Sequence, residues 1–319
     1  MTITLTFPGQ GSQAIGMRYD FYNNFASARA VFEEVDDALN QKLSKIIFEG
    51  DIDELTLTEN TQPALMAVSM AIIRTIENEL GKPIHSLVSY MAGHSLGEYT
   101  AHCASGTFTL KDTARLLRLR GQAMQRAVPV GKGAMAAILG LEIEAVETLT
   151  KEASISKDDL CVVANDNSPG QLVASGHKTA IVRVIESALQ NGAKRALFLS
   201  VSAPFHSPLM QPAAKEMADA LANTDSQNAR SPVIANVTTT PVTQSDEIKS
   251  LLVEQVTDRV RWRESMATLK NLSVTHVVEV GSGKVLTGLI KRIDPSLAAS
   301  CTNTVADLDS FIQLLETVK

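Results

Sequence analysis

The stretch Ser86-Leu-Val-Ser-Tyr-Met-Ala-Gly-His-Ser-Leu-Gly97 decides the fold. Its first seven residues are a β-rich run, and Gly93-His-Ser-Leu-Gly97 ends that run where a new helical pattern begins. G-x-S-x-G between a strand and a helix is a tight, strained turn that lifts a serine hydroxyl above a sheet. The glycines answer to space, because side chains on either flank would strike neighbouring elements. Ser95 would project at the positive end of the following helix, with the Leu96 amide placed to donate to a developing oxyanion. Ser95 is thus the candidate nucleophile, set against the simpler reading of a helix N-cap serine.

Upstream, a strand at 3–7 runs into Pro8-Gly-Gln-Gly-Ser-Gln13, and helical periodicity follows over 25–39 and 64–80. Strands alternating with crossover helices predict a parallel sheet covered by helices. Downstream, Val128-Pro-Val-Gly-Lys-Gly133 reads as a linker. The spacing then predicts a strand at 134–139, a helix at 142–153 and a strand at 160–164. The turn formers Asn165-Asp-Asn-Ser-Pro-Gly170 follow, then a strand at 171–175, a helix at 178–190 and a strand at 194–201. That order, β-α-β-β-α-β, is the split ferredoxin-like unit. The chain is therefore expected to be α/β, with a large domain over 1–128 and 202–319 and an inserted small domain over 129–201. In the resumed large domain, 204–221 should hold a loop and helix, 233–237 a strand, 247–257 a helix and 276–280 a strand.

A chain of 319 residues suits one large domain or two unequal ones. Its hydrophobic fraction of 45% excludes wholesale disorder, and its net charge of −6 argues against general nucleic-acid binding. Cys103, Cys161 and Cys301 are scattered and odd in number, which fits a reducing compartment and neither a disulfide framework nor a zinc site. The first residues lack the basic start and apolar core of a signal peptide. The longest apolar stretch, 63–73, is shorter than the roughly 20 residues a bilayer requires. These features predict a cytoplasmic protein.

A serine hydroxyl needs a base. Of six histidines, His85, His102, His177 and His276 read as ordinary surface or core residues, and His94, inside the turn, should point away from Ser95. His206 differs, because Ser202-Ala-Pro-Phe-His-Ser-Pro208 is an irregular loop pinned by two prolines, a common setting for catalytic groups. No acid is evident, since Asp158, Asp159 and Asp166 fall in the small domain. A dyad with His206 oriented by a backbone carbonyl is the simpler proposal. Arg120 lies three residues after Leu117 and four before Met124, on the apolar stripe of the helix at 111–127, whereas Arg115, Arg118, Gln122 and Arg126 read as solvated. A core-facing arginine needs a partner, either an internal acid or a substrate carboxylate held by its planar fork. Two decoys are weaker. Gly9-Gln-Gly-Ser-Gln-Ala14, with Glu33 beyond it, imitates a dinucleotide fingerprint, but Pro8 intrudes and Gln10 and Gln13 are polar. Gly281-Ser-Gly-Lys284 lacks the spacing of a phosphate loop.

Taken in order, Phe7-Pro-Gly-Gln-Gly-Ser-Gln13, Thr61-Gln-Pro-Ala64, Gly93-His-Ser-Leu-Gly-Glu98 and Met124-Gln-Arg-Ala-Val-Pro129 resemble motifs of the malonyl-CoA:acyl carrier protein transacylases of the bacterial stand-alone type. So do Gly133-Ala-Met-Ala-Ala137, Asn167-Ser-Pro-Gly170, Pro204-Phe-His206 and Glu279-Val-Gly-Ser-Gly-Lys-Val285, and together they span nearly the whole chain. The resemblance implies a hydrolase-like parallel-sheet core with a ferredoxin-like insert. It implies an acyltransferase that moves malonyl from malonyl-CoA to acyl carrier protein through a malonyl-serine, supplying fatty acid synthesis, with no metal or cofactor. By that resemblance Ser95 and His206 are catalytic, Gln10 and Leu96 line the oxyanion hole, and Arg120 grips the malonyl carboxylate. Gln255 would orient His206 through its main-chain carbonyl, and Phe205 resembles a malonyl-selecting position, although Ala203 and Pro204 depart from its usual neighbours. Two rival classes are a serine hydrolase such as a thioesterase, which normally orders its residues Ser, Asp/Glu, His, and a non-catalytic carrier-docking module. Because the chain is acidic overall, docking of an acidic carrier protein would need a local basic patch, with Lys194, Arg195, Lys284, Lys291 and Arg292 as candidates.

Overall fold

The computed structural model describes residues 2–201 and 203–317; Ser202, the first residue of the proline-pinned loop, lies outside them. Ten strands form two sheets: β1 (Ile3–Phe7), β2 (Tyr90–Gly93), β3 (Gly133–Leu139), β4 (Cys161–Ser168), β5 (Gln171–His177), β6 (Arg195–Phe198), β7 (Val233–Ile234), β8 (Pro241–Val242), β9 (His276–Val280) and β10 (Ala298–Thr302). The first sheet has the order β10-β9-β1-β2-β7-β8 and is parallel apart from the β7–β8 pair. Such a sheet is covered on both faces, so the central strand β1 is buried along its whole length. From β1 the chain builds outward to β2, β7 and β8 on one side, then to β9 and β10 on the other. Open α/β sheets carry their sites where the strand order reverses in this way, at the carboxyl ends of the strands. The register Phe7↔Gly93 brings the ends of β1 and β2 side by side there.

The second sheet is antiparallel with order β4-β5-β3-β6, and the helices Ile143–Ala153 and Lys178–Gln190 pack on it over a small core of their own. This is the pairing a ferredoxin-like β-α-β-β-α-β order demands. One departure is informative: the turn formers from Asn165 onward do not leave the sheet at once. β4 continues to Ser168 through register shifts between Val163 and Asn165 and between Asp166 and Ser168. Bulges of this kind re-aim side chains, and here the affected residues reach the cleft between the sheets. Elsewhere β7 is shorter than the 233–237 pattern suggested, and the helix expected over 247–257 spans Ser245–Glu254. The helix expected from 64 begins at Thr58, ahead of Pro63, and is buried throughout from Asn60 to Ile73. A helix apolar on every side is a core element.

The turn after β2 depends on contact distances. A Cβ on Gly93 would stand 1.9 Å from the backbone of Gly97, and a Cβ on Gly97 would stand 2.2 Å from the Phe7 carbonyl oxygen. The elbow helix Leu96–Ala104 therefore lies directly against β1. Gly97→Ala should force β1 and the helix apart, and is expected to lower the thermal midpoint by 10 °C or more or to abolish soluble protein, at a cost of roughly 3 kcal/mol or above. Gly288→Ala, where a helical Cβ meets nothing within 4 Å, is the control and should be neutral or stabilise by up to about 1 kcal/mol.

Candidate active site

Ser95 sits at φ 54 and ψ −110, a conformation that non-glycine residues avoid and that persists only where surroundings enforce it. Asn236, in the loop after β7, supplies that enforcement: its Oδ1 accepts from the Ser95 amide at 2.9 Å and its Nδ2 donates to the Gly93 carbonyl at 2.7 Å. Because the serine's own amide is occupied, it cannot serve the cavity. The next helical amides, Gly97 and Glu98, are taken by the carbonyls of His94 and Ser95. The Leu96 amide, at the first position of the helix, has no such partner among the described residues.

The Ser95 hydroxyl lies 2.7 Å from His206 Nε2, although 111 residues separate the two in sequence. His206 Nδ1 faces two carbonyl oxygens, Gln255 at 2.8 Å and Asp258 at 3.2 Å. Carbonyls only accept, so Nδ1 carries the proton and Nε2 of the neutral ring is the free acceptor for the serine. Among the described residues no carboxylate completes a triad. Asp166 is paired with Arg263, and Asp159 with Arg183. Burial, reinforced by the positive Arg120, pushes the His206 pKa down to about 3, so the ring is a neutral base at ordinary pH. His94 turns from Ser95 to Asn167, at 2.8 Å, yet still lines the cavity.

Arg120 is the second most voluminous of the fully buried side chains, after Trp262. Its Nη1 donates to Gln62 Oε1 at 2.8 Å, and its Nη2 donates to Gln255 Oε1 at 2.8 Å and to Ser95 Oγ at 3.2 Å. Its Nε has no hydrogen-bond partner among the described residues, and its guanidinium lies 5.6 Å from the centre of the Tyr99 ring. Among the described residues no carboxylate pairs with it. The cation is thus held by neutral acceptors, with Glu98 acting on it only at a distance. Arg118, expected to be solvated, is half-buried and donates to Asn60 and Gln41.

These groups open onto a cavity of about 330 Å³ between the two sheets, lined among others by Gln10, Ser95, Arg120, Phe205 and His206, with Asn165 and Asn167 entering from β4. Gln10 is tethered by the Thr58 hydroxyl, which donates to its Oε1 at 3.0 Å, and Thr58 also accepts from Gln62. Gln62, Glu98 and Asn236 were not singled out by sequence. Gln62 and Glu98 lie inside quoted motifs, but Asn236 carries no local signal. The decoys resolve simply. No helix starts until Tyr19, well beyond Gly9–Ala14, so a dinucleotide turn is missing its helix. The helix after Gly283 is capped by Glu279, whose carboxylate takes the amides of Leu286 and Thr287 where a phosphate would sit.

Residues 4–305 match the acyl transferase domain family. The chain is 43% identical over 317 residues to a malonyl CoA-acyl carrier protein transacylase of Bacillus subtilis, covering 99% of this chain and 97% of that protein. The chain belongs to the malonyl CoA-acyl carrier protein transacylase family. It is also 41% identical over 308 residues to the transacylase of Escherichia coli, covering 97% of this chain and 98% of that one. In structure it is similar to an acyl-carrier-protein S-malonyltransferase from Bartonella henselae, with a TM-score of 0.96 and 52% identity, covering 99% of this chain and 100% of that one. A malonyl-transacylase solved in complex with a type II polyketide acyl-carrier protein gives a TM-score of 0.94 and 39% identity, covering 98% and 100%. The chain is thus an acyltransferase, with a parallel-rich core and a separate antiparallel sheet like those structures.

The protonation chemistry makes a measurable statement. Protonating His206 removes the base, but with its pKa near 3 this happens only in strong acid. The rate at which a small neutral phosphonofluoridate modifies Ser95 should therefore show no inflection at the ordinary histidine value of about 6.5. Burial raises the nearby Glu98 to about 7, so an inflection there belongs to Glu98 and should vanish in Glu98→Gln. One that survives that substitution contradicts the neutral-base arrangement.

Proposed function

We propose that this acyltransferase moves a malonyl group from malonyl-CoA to the phosphopantetheine thiol of acyl carrier protein through an ester on Ser95, supplying fatty acid synthesis. The observation that carries the substrate choice is Arg120: a buried guanidinium with no carboxylate partner among the described residues, within hydrogen-bond reach of the Ser95 hydroxyl. A buried cation held only by neutral groups is a vacancy for an anion, and the acyl group bonded to that hydroxyl is what can bring one. The names of the relatives support malonyl as the anion and acyl carrier protein as the acceptor.

In the first half-reaction His206 Nε2 takes the Ser95 proton as Oγ attacks the thioester carbonyl. The Leu96 amide and Gln10 receive the oxyanion. Collapse expels CoA, whose sulfur takes the proton back from His206, leaving malonyl on Ser95. In the second half the carrier thiol gives its proton to His206 and attacks the ester, and Ser95 recovers the proton as it leaves. Gln255 and Asp258 hold the His206 tautomer throughout, and Phe205 closes the acyl end of the cavity. A carboxylate on Arg120 also offsets the field that depresses His206, so the base strengthens when the proper substrate arrives.

We assign 1–128 and 202–319 to the domain carrying Ser95 and His206, and 129–201 to the small domain covering the cleft. Among the described residues no helix is long and apolar enough to cross a membrane, and we assign the chain to the cytoplasm on its three free cysteines. For the carrier protein we assign the basic side chains Lys194, Arg195, Lys284, Lys291 and Arg292. All five are exposed and none is ion-paired among the described residues. Lys194 packs beside Gly140, whose amide bonds the Gly170 carbonyl, and Arg292 donates to the adjacent Gln171 at 2.8 Å. That chain of contacts supports one continuous surface, and exposed Leu197 and Phe198 on β6 lie next to Arg195.

Mixing the enzyme with malonyl-CoA should give a lasting malonyl adduct on Ser95 by mass spectrometry, absent in Ser95→Ala; rapid release of free malonate would instead favour a hydrolase. In Arg120→Ala, kcat/KM for malonyl-CoA should fall by about a hundredfold or more while acetylation of Ser95 survives. Lys194→Glu with Arg292→Glu should raise KM for carrier protein about tenfold at low salt, less at high salt, and leave KM for malonyl-CoA alone.

A further inference from the structure

Beneath the elbow lies a buried carboxyl that the transfer steps do not use. Glu98, in the first turn of the elbow helix, is 1% exposed. Among the described residues His102 stands at 4.0 Å with neither ring nitrogen hydrogen-bonded, burial holds that ring neutral, and the Arg120 guanidinium acts on the carboxylate only at a distance. An acid buried without a cation in contact costs several kcal/mol relative to an apolar residue, so its hydrogen-bond partners show what it does.

Both of its recorded hydrogen bonds end on one oxygen, Oε2, which accepts from Gln255 Nε2 at 2.7 Å and from the Asn236 amide at 3.2 Å. Gln255 Nε2 also donates to the Ser95 carbonyl at 2.9 Å. With Asn236 Oδ1 a third and longer acceptor at 3.5 Å, Glu98 at 2.7 Å is the shortest of the contacts that decide which way the carboxamide faces, so Oε1 is turned onto the Arg120 guanidinium. The flipped amide would set donor against donor there. Through the other bond Glu98 steadies Asn236, whose side chain brackets Ser95.

We propose that Glu98 is a positioning residue for acyl selection: by fixing the Gln255 carboxamide it holds Arg120 in the pose that prefers a carboxylate-bearing acyl group over an uncharged one. This rests on the reading of Arg120 as the acyl clamp. The hydrogen bond carries this role, and glutamine at position 98 can present an acceptor oxygen at the same place while its amino end faces His102.

The test compares transfer from malonyl-CoA and from acetyl-CoA to carrier protein in Glu98→Leu and Glu98→Gln, with the thermal midpoint recorded alongside. Glu98→Leu should lower the malonyl-to-acetyl ratio of kcat/KM by about tenfold or more. The loss should fall on malonyl while acetyl transfer persists, and Glu98→Gln should restore the ratio to within about threefold of the parent. Equal loss of both substrates in a folded Glu98→Leu protein, an unchanged ratio, or a ratio lost equally in Glu98→Gln would each overturn the proposal. Should Glu98→Leu fail to fold, Gln255→Met removes the same link from its other end and must show the same fall in ratio; an unchanged ratio there overturns it as well. Arg120→Ala separates the two readings. If it spares the ratio, the clamp itself is wrong; if it destroys the ratio while Glu98→Leu does not, only the role of Glu98 is.

Discussion

A guanidinium buried without a counter-ion is the constraint around which the site is organised. Arg120 cannot shed its charge, and the protein surrounds it with neutral acceptors, Gln62 and Gln255, and with the face of Tyr99. Neutral partners take the hydrogen bonds of its two Nη atoms and, among the described residues, leave its charge without a carboxylate in contact. That residual charge lies at the wall of the cavity and, second to burial, lowers the His206 pKa. Arg120 and His206 are thus coupled electrostatically as well as by proximity to Ser95.

The second constraint is conformational. Ser95 is held in a strained turn because the elbow helix lies directly on β1 and because Asn236 spans the turn with both ends of its carboxamide. Strain at such a site is tolerated when several elements over-determine it, and here the helix, the central strand and the loop after β7 all do so. Gln255 joins the two constraints, since its main-chain carbonyl fixes His206 while its side chain bridges Arg120 and the Ser95 carbonyl. The cavity above is closed from the antiparallel sheet, where bulged β4 sends Asn165 and Asn167 into it.

Much of this was legible one residue at a time. The elbow is readable because its glycines and serine are consecutive and their spacing reflects a local clash. The small sheet is readable because hairpin and helix periods are short-range properties. Arg120 is readable as a single violation of an apolar stripe. Local patterns failed where a neighbouring element overrode them. Asn165–Ser168 looks like a turn, yet pairing with β5 keeps it in the sheet; Arg118 looks solvated, yet Asn60 and Gln41 hold it half-buried.

Sequence by itself determined the alternation of strands and helices, the inserted β-α-β-β-α-β order, the serine turn and the anomalous arginine, because each follows from side-chain period or steric demand within a few residues. Only the tertiary structure decided that His206 meets Ser95 across 111 residues, that its orienting groups are carbonyls rather than a carboxylate, and that no acid among the described residues pairs with Arg120. It alone placed Gln62, Glu98 and Asn236 around those groups. Hydrogen bonds and charges act through space, and the partner of a buried polar group is set by how the sheets and helices pack, which no short stretch of chain encodes.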